Sequence, residues 1–388
     1  MQADVIIVGA GAFGLNAAWH LQQRGLKPLV LDAASGPATQ ATRAAAGFVA
    51  QFSAIHHIDW GKVEWEMQRY SIKFYTALAA RCNRDIGFCA SGVVYIYETA
   101  AGWQQAQQVI EIARRYGTRL EVLTRERAAT LIPQICFEAT AGMLFDPDAI
   151  RLRAGEALEA LATELASEKV HLRYDTEVEE LLVQQRQITG VRTNKGEIYS
   201  SRVLVAAGAW TRPLLAQIGV QLAAEPVVVA RYTTRPLPGI GPQMPLLLFS
   251  DSPYRFWIRE EKGGLLIGGG DPRPLPADRL VDADAPPCAQ ALPPDHALRT
   301  RQHVRQIEHV MPILQEAEID AIRAGLPCYT ADRLFAASAV DQVQGLYVLA
   351  ACNEAGITHG PGLGRHITEC IVDGVTSLDG SRFDIVRL

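Results

Sequence analysis

Short apolar runs and amphipathic stretches alternate at the start of the chain. The run Val5-Ile6-Ile7-Val8 predicts a buried strand, and the residues that follow it, up to Leu21, predict a helix that stops at Gly25. A second buried strand is predicted at residues 28–31. A strand, a helix and a strand in this order are typical of the βαβ unit of a parallel sheet.

The pattern then changes twice along the chain. Helices are predicted over residues 62–80 and 102–116, around a strand at 92–97. The first pattern resumes near Asp148, with a helix over 152–168 and strands at 170–174, 177–182, 188–192 and 199–206. Antiparallel strands are predicted from Pro226 to Ala337, followed by a strand at 346–351, a glycine-rich turn at 356–364 and a helix at 365–372.

These patterns predict an α/β chain with two discontinuous domains. A Rossmann-like βαβ domain is expected to comprise residues 1–45, 148–220 and 338–388. A domain with an antiparallel sheet is expected to comprise residues 46–147 and 221–337. The proline-rich stretch at 272–294 is too polar and too broken for a core, so it predicts a surface loop or lid.

The loop between the first strand and the first helix carries a G-x-G-x-x-G motif, which is specific only in this context. Gly9 allows a tight turn, Gly11 lets a pyrophosphate approach the backbone, and Gly14 lets the helix pack on the strand. Asp32 closes the second strand, where a carboxylate accepts hydrogen bonds from a ribose. The segment therefore predicts a dinucleotide site at the N-terminus of the helix.

Composition limits the class of protein further. The chain has 388 residues, 48% of them hydrophobic, and a formal net charge of −5 without any basic stripe, which argues against nucleic acid as a partner. No apolar run approaches the roughly 18 residues of a membrane span, and no signal peptide precedes the first strand, so we expect a soluble, cytoplasmic enzyme. Seven cysteines without a C-x-x-C pair favour a reducing compartment. The His56-His57 pair lacks a third ligand, so no metal site is expected.

Five stretches, in order along the chain, resemble the D-amino-acid-oxidase-like superfamily of FAD enzymes, which includes glycine oxidase, sarcosine oxidase and D-arginine dehydrogenase. They are the G-x-G-x-x-G unit, the strand end at 206–210, the strand at 263–268, the segment 324–332 and the glycine-rich segment 351–364. The resemblance implies that FAD is the cofactor. The residues it places at FAD are Gly9, Gly11, Phe13, Gly14, Asp32, Ala33, Thr42, Arg43, Ala44, Ala46, Gly47, Val178, Ala207, Gly208, Trp210, Gly325, Ala355, Gly356, Ile357 and Thr358.

The sequence departs from the family where the substrate carboxylate is expected to bind. Members of the family that this chain resembles carry an arginine after a "GL" pair, and the matching position here is Pro327. A lysine position of the sarcosine oxidases is occupied here by Thr358. Either another arginine replaces the missing one, or the substrate has no carboxylate; the replacement candidates are Arg231, Arg255, Arg259 and Arg323.

Two further positions bear on the chemistry of the flavin. Leu266 stands where sarcosine oxidases carry a lysine associated with oxygen reduction, which favours a dehydrogenase over an oxidase. Cys328 resembles a flavin-linking cysteine, but its spacing to Asp332 differs, so we expect a free thiol and non-covalent FAD.

Candidate catalytic residues come from two segments. His359 and Glu354 lie in the glycine-rich segment, where a histidine is suited to acid or base chemistry and a glutamate to contact with an amine. Tyr254, Arg255 and Trp257 lie on a predicted hairpin that the resemblance places over the flavin.

The resulting prediction is an FAD-dependent oxidoreductase that oxidises the C–N bond of an amine or amino acid by hydride transfer to flavin N5, leaving an imine. Its partners would be that small substrate and an electron acceptor, namely a quinone, another carrier or O2, in a possible homo- or hetero-oligomer. One alternative is a 2-hydroxy-acid dehydrogenase that uses His359 as a base. Another is a flavin-bearing subunit of a larger amine dehydrogenase, with residues 272–294 contacting the partner.

Overall fold

The structure is a computed structural model that describes residues 3–50, 61–269, 275–276, 292 and 295–387. The α-helices within these residues are α1 (Ala12–Gln23), α2 (Lys62–Arg81), α3 (Ala100–Arg115), α4 (Arg125–Leu131), α5 (Ala154–Ser167), α6 (Thr211–Ala216), α7 (His296–Val304) and α8 (Gly356–Asp373). Shorter 3₁₀ turns lie at Phe137–Ala139, Gly208–Trp210, Arg305–Ile307, Pro312–Glu316, Ser381–Phe383 and Ile385–Arg387.

The strands form two large and two small sheets. In chain order they are β1 (Val5–Val8), β2 (Pro28–Leu31), β3 (Phe48–Val49), β4 (Val93–Tyr97), β5 (Glu121–Val122), β6 (Gly142–Asp146), β7 (Ile150–Arg151), β8 (His171–Arg173), β9 (Val178–Gln184), β10 (Gln187–Thr193) and β11 (Gly196–Tyr199). The later strands are β12 (Val203–Val205), β13 (Glu225–Thr234), β14 (Leu246–Phe249), β15 (Trp257–Glu261), β16 (Gly264–Gly268), β17 (Leu275–Pro276), β18 (Ile319–Gly325), β19 (Cys328–Tyr329), β20 (Ala336–Ala339) and β21 (Leu346–Ala350).

Six strands form a largely parallel sheet in the order β20-β21-β12-β1-β2-β8, with β20 antiparallel at its edge. Successive side chains of β1 point to opposite faces. Val5 and Ile7 pack in the cluster that contains α1, α5 and α8, whereas Ile6 and Val8 pack in the cluster that contains the three-stranded sheet β11-β10-β9. Because both faces of the sheet centre are covered, the short strands β1, β2 and β12 are uniformly apolar, as their sequences predict.

The second large sheet has the order β17-β13-β16-β15-β14-β4-β6-β5, and β18 and β19 also pair with β13. Its neighbours are antiparallel except for β14 and β4, which run parallel. Its strands come from residues 93–146 and 225–329, between the segments that build the first sheet. This alternation agrees with an interleaved α/β fold, while the predicted domain boundaries stay a prediction.

The structure corrects two sequence predictions of secondary structure. The single strand predicted at 199–206 is two strands, because the polar residues 200–202 carry the chain from β11 in the three-stranded sheet to β12 in the parallel sheet. The helix predicted at 365–372 begins nine residues earlier, at Gly356, so the glycine-rich segment is helical and the turn precedes it.

The helices also bear on whether the chain crosses a membrane. Within the residues described above, no helix combines the length and the apolar character needed to cross a bilayer. The stretch at 272–294, predicted to be a loop or lid, lies almost entirely outside the described residues.

Candidate active site: a cavity at the strand ends

A cavity of about 1330 Å³ lies at the carboxyl ends of the central parallel strands. Gly9 follows β1, Asp32 follows β2, Ala206 follows β12 and Ala351 follows β21, and all four line this cavity. Ligands of open α/β sheets bind at this edge, where the loops after neighbouring strands converge. The far wall is formed by the second large sheet, including residues 227–231 of β13 and Trp257 of β15.

The three motif glycines have different surroundings. Gly9 has φ +109°, and a Cβ there would lie 2.4 Å from the Ala206 carbonyl oxygen. A Cβ on Gly14 would lie 1.9 Å from the Gly9 carbonyl oxygen, so this glycine serves the packing of α1 and does not line the cavity. A Cβ on Gly11 would meet only the Thr42 hydroxyl, at 3.5 Å, and would otherwise enter the cavity.

Asp32 is held against the loop before α1. Its carboxylate accepts hydrogen bonds from the Ala10 N–H at 2.6 Å and the Ala34 N–H at 2.8 Å. Burial raises the pKa of Asp32, and these two hydrogen bonds oppose that change. The Thr42 hydroxyl accepts a hydrogen bond from the first N–H of α1, at Ala12. The helix N-terminus, with its positive dipole end, therefore faces the cavity beside a fixed carboxylate.

The opposite end of the cavity is bounded by the turn before α8. Ala351, Asn353 and Glu354 all have positive φ, between +46° and +63°, which is rare for residues other than glycine. The buried Asn353 side chain holds the turn, since it accepts a hydrogen bond from the Thr330 N–H and donates to the carbonyls of Leu334 and Ala351. These hydrogen bonds of Asn353 were not predicted from the sequence. The one signal for them is the residue type, because asparagine adopts the left-handed backbone conformation more readily than most residues.

Charged and aromatic side chains form one wall of the cavity. The Arg231 guanidinium, 7% exposed, donates to Glu354 at 2.9 Å and lies over the Trp257 ring, 4.9 Å from its centroid. Tyr329 lies close to Glu354, and burial raises the pKa of Tyr329 well above its usual value. Tyr254 lines the same cavity, its ring stacked 4.0 Å from His303.

The structure places most of the predicted cofactor residues at the cavity. Besides those already named, the lining includes Phe13, Ala33, Ala44, Ala46, Val178, Ala207, Gly208, Trp210, Ala355, Gly356, Ile357 and Thr358. Gly208 has φ +56° with nothing within 4 Å of its missing Cβ, so this stretch of backbone also leaves space for a ligand.

Besides Gly14, three predicted cofactor residues do not reach the cavity. Arg43 turns away from it and pairs with Glu159 on α5. Gly47 has φ +72° and lies against the backbone of Leu152, where a Cβ would be 2.0 Å from the carbonyl oxygen. Gly325 lies behind Ala44, where an added Cβ would be 2.8 Å from the Ala44 Cβ, so it supports the lining segment from outside.

His359 is also misplaced by the sequence prediction. It is fully buried on α8, its Nε2 lies 3.1 Å from the Gln68 side chain, and its ring packs on Phe335. A helix that begins at Gly356 turns this side chain away from the cavity and toward α2, so His359 does not line the cavity.

The arginine candidates separate into two groups. Arg231 and Arg255 line the cavity, whereas Arg259 and Arg323 pair with the buried Glu261 behind it. Arg255 and Arg259 do not share a strand, because β15 begins only at Trp257 and Arg255 lies in the preceding turn at φ +46°. A further lining arginine, Arg333, was missed in the sequence; it lies over the Tyr329 ring.

The structure also locates Thr358, Leu266 and Cys328, the positions at which the sequence was compared with the family. The Thr358 hydroxyl donates to the Phe48 carbonyl at 3.1 Å, and Leu266 is buried on β16 beside Trp257. Cys328 lines the cavity as a buried thiol, and burial raises its pKa. Across the described ranges, no three His, Cys, Asp or Glu side chains cluster as metal ligands do, and the His56-His57 pair lies outside those ranges.

The residues present fit FAD. Gly11 leaves backbone open at the helix N-terminus where a pyrophosphate binds, and Asp32 is fixed where a ribose would contact it. Val178 lies at the same end of the cavity, and the N-terminus of α8 lies at the other, where its dipole favours negative charge on a reduced flavin ring.

Comparison with known proteins agrees with this geometry. The family model described as "FAD dependent oxidoreductase" matches residues 4–370. The 4-methylaminobutanoate oxidase (formaldehyde-forming) of Paenarthrobacter nicotinovorans is 27% identical over 98% of this chain and 45% of its own length. The glycine oxidase of Geobacillus kaustophilus is 24% identical over 99% of this chain and 97% of its own length.

Solved structures show the same fold. The L-proline dehydrogenase of P. horikoshii superposes with a TM-score of 0.86 at 21% identity, covering 100% of this chain and 97% of that one. The chain spans less than half the length of the first curated relatives that it matches. With the fold, the cofactor cradle and the match over residues 4–370 in agreement, the chain belongs to the family of FAD-dependent oxidoreductases.

Proposed function

We propose that this chain oxidises the C–N bond of an amino acid or a related amine, with the substrate lying against Arg231. The observation that carries the proposal is the continuity of the cavity, which joins the FAD cradle at Gly11 and Asp32 to the wall formed by Arg231, Trp257 and Glu354. The names of relatives, a methylaminobutanoate oxidase and a glycine oxidase among them, support an amino-acid substrate.

Arg231 is the side chain best placed to replace the missing carboxylate-binding arginine. Its guanidinium is buried at the cavity wall, and its Nε is a buried donor without a hydrogen-bond partner among the described residues. Nε and Nη2 lie on one edge of the guanidinium, and such an edge binds a carboxylate through two parallel hydrogen bonds. The Trp257 ring covers one face of the guanidinium and fixes its plane.

The protein's part in the reaction is chiefly to position the substrate. Bound FAD supplies the hydride acceptor, and the substrate is left as an imine that water hydrolyses. Arg231 would hold the carboxylate, and the Tyr254 and Trp257 rings would exclude water from one side of the reacting carbon. The amine nitrogen must be neutral to supply the lone pair that forms the C=N bond, so a substrate that enters as a zwitterion loses its ammonium proton before the hydride is transferred.

The alternative of a 2-hydroxy-acid dehydrogenase loses its proposed base. That reaction requires a group that removes the hydroxyl proton, and the histidine expected to do so, His359, is buried against Gln68 and Phe335 away from the cavity. His359 therefore cannot serve as the base that this alternative assigned to it.

Anaerobic titration of the holoenzyme tests the proposal. Amino acids, N-methylated amino acids, simple amines and 2-hydroxy acids are added in turn, and loss of the oxidised flavin's visible absorption is recorded. We expect bleaching by at least one compound with both an amine and a carboxylate, and a large rise in its half-saturating concentration in Arg231→Met. Bleaching by hydroxy acids alone would contradict the proposal.

A further inference from the structure

The Arg231–Glu354 ion pair is an unusual feature for a binding wall. A carboxylate from the protein itself already contacts the guanidinium, Oε1 to Nη2 at 2.9 Å. The two side chains differ in burial, because the Arg231 side chain is 7% exposed and the Glu354 side chain is 36% exposed, and both line the cavity. Arg231 is further fixed by its hydrogen bond to the Ala230 carbonyl and by the Trp257 ring.

Glu354 has a second neighbour in the cavity besides Arg231. The Tyr329 side chain lies close to the Glu354 carboxylate, and Arg333 lies over the Tyr329 ring. The left-handed backbone at Glu354, φ +63°, directs the side chain from a turn that the buried Asn353 holds in place. The carboxylate can therefore swing at its side-chain torsions while its Cα stays fixed.

We propose that Glu354 is a specificity-determining residue: it occupies the carboxylate position on Arg231 and moves to the substrate's amine when an amino acid binds. This inference rests on the proposed function and names the substrate class as compounds that carry a carboxylate and an amine nitrogen together. The substrate carboxylate then takes the Nε and Nη2 edge of Arg231, and the displaced Glu354 accepts a hydrogen bond from the amine N–H.

Charge balance explains why this arrangement selects amino acids. A zwitterion has no net charge, so its entry replaces one ion pair by two and leaves every charge with a partner. A hydroxy acid brings only a carboxylate, which displaces Glu354 and offers no cation in exchange. A partly buried carboxylate that loses its charged partner is costly, so ligands without an amine are rejected. Loss of one charge-assisted hydrogen bond corresponds to a change of about tenfold to a hundredfold in affinity.

The test uses two pairs of ligands that differ only at the nitrogen. They are N-methylglycine with methoxyacetate, and 4-(methylamino)butanoate with 4-methoxybutanoate, and binding to the holoenzyme is followed by the perturbation of the flavin's visible spectrum. We expect the wild-type protein to prefer the amine in at least one pair. Glu354→Gln should weaken binding of that amine and strengthen binding of its ether, about tenfold each. Glu354→Asp, which keeps the charge, should restore the preference for the amine.

Arg255→Met is the matched control, because Arg255 lines the cavity without contacting Glu354. It should change the affinities of both members of a pair in the same direction. If Glu354→Gln loses equal affinity for the amine and the ether, Glu354 has a merely structural role and the inference is overturned. The inference is also overturned if the wild-type protein binds none of the four ligands. A third outcome separates the two proposals. If Glu354→Gln prefers the ether but no amine reduces the flavin, the proposed reaction is contradicted and the role of Glu354 in ligand selection is retained.

Discussion

At the scale of single residues, the glycines of the first loop have two roles: some allow close backbone packing, and one leaves space for the ligand. Gly9 and Gly14 lie against protein backbone, so side chains there would collide with the Ala206 and Gly9 carbonyls. Gly11 faces the cavity, with Thr42 as its nearest neighbour at 3.5 Å. A side chain at Gly11 would therefore oppose the ligand and leave the protein's own packing intact, whereas one at Gly14 would oppose the packing of α1 on β1.

The substitutions Gly11→Val and Gly14→Val should separate these two roles. Gly11→Val should fold with a thermal midpoint close to that of the wild-type apoprotein but purify without flavin, because its side chain occupies the phosphate position. Gly14→Val should unfold at a lower temperature, in keeping with a cost of about 1–3 kcal/mol or more for forced overpacking. Flavin absorbance and thermal unfolding measure the two effects. Normal flavin content in Gly11→Val would contradict the placement of the pyrophosphate.

Cys328 bears on how the cofactor is attached. The thiolate is the reactive form of cysteine, and burial raises the pKa of Cys328, so the thiol is protonated at neutral pH. We expect non-covalent FAD that acid precipitation releases into the supernatant. Yellow colour that stays in the pellet of the wild-type protein, but not in that of Cys328→Ser, would show a covalent link.

At the scale of elements, α8 and α1 are packed so closely that the α8 glycines are required. A Cβ on Gly364 would lie 2.7 Å from the backbone carbon of Asn16, and one on Gly362 would lie 2.6 Å from the Met67 Cβ of α2. A Cβ on Gly360 would approach the Asn16 side-chain amide at 3.1 Å and the Ala12 carbonyl oxygen at 3.7 Å, which are longer distances than those at Gly364 and Gly362. The glycine-rich segment is therefore a packing surface along a helix.

Two alanine substitutions in α8 test this packing. Gly364→Ala should lower the free energy of unfolding by about 1–3 kcal/mol, because backbone of α1 must shift. Gly360→Ala is the matched control in the same helix; its added methyl group meets a side chain, and alanine favours the helix by roughly 1 kcal/mol over glycine. Denaturant titration of both variants gives the comparison, and equal stabilities would argue against a tight contact at Gly364.

His20 lies where α1, α2 and α8 meet, and it makes stability dependent on pH. Burial lowers its pKa from 6.5 to about 4, against the opposing effect of a hydrogen bond to the Pro361 backbone. The unfolded chain therefore takes up a proton at higher pH than the folded protein does. The contribution of neutral His20 is complete above pH 6.5 and is lost as the pH falls toward 4, by about 3 kcal/mol in all.

Denaturant titrations at pH 7 and pH 5 measure this dependence. His20→Gln should reduce the loss of stability between the two pH values by about 2 kcal/mol relative to the wild-type protein. His171→Gln, at an exposed position on β8, should keep the full loss. An unchanged pH difference in His20→Gln would show that other groups cause the acid sensitivity.

The sequence predicted the βαβ unit, most helices and many residues that line the cavity, because periodicity and the glycine motif are local signals. It failed at α8, where Gly360, Pro361 and Gly362 are typical of a turn and only the approach of α1 and α2 makes them helical. The misplacement of His359 follows from that error. The pairing of Arg231 with Glu354 joins residues 123 positions apart, which no local pattern indicates.

At the scale of the whole molecule, the cavity lies between the two large sheets. The residues around it affect whether reduced flavin passes its electrons to O2 or to another acceptor. Leu266 is buried on β16 in the same apolar cluster as Trp257, which lines the cavity, and an apolar side chain there brings no cation to oxygen. We expect flavin that has been reduced anaerobically to reoxidise faster with a quinone than with air. Stopped-flow reoxidation measures this, and Leu266→Lys should raise the rate with O2. Rapid peroxide formation by the wild-type protein would reverse the preference for a dehydrogenase.

The placement of α8 against α1 also sets the order of events during synthesis. The phosphate end of the cradle, at Ala12, leaves the ribosome early, whereas the helix that closes the other end runs to Asp373. Strands β12 and β21, which flank β1 on one side, are likewise made late. A nascent chain therefore presents one end of the FAD site long before the other exists. Cofactor loading is expected to follow the synthesis of α8, and a chain truncated before α8 should purify without flavin.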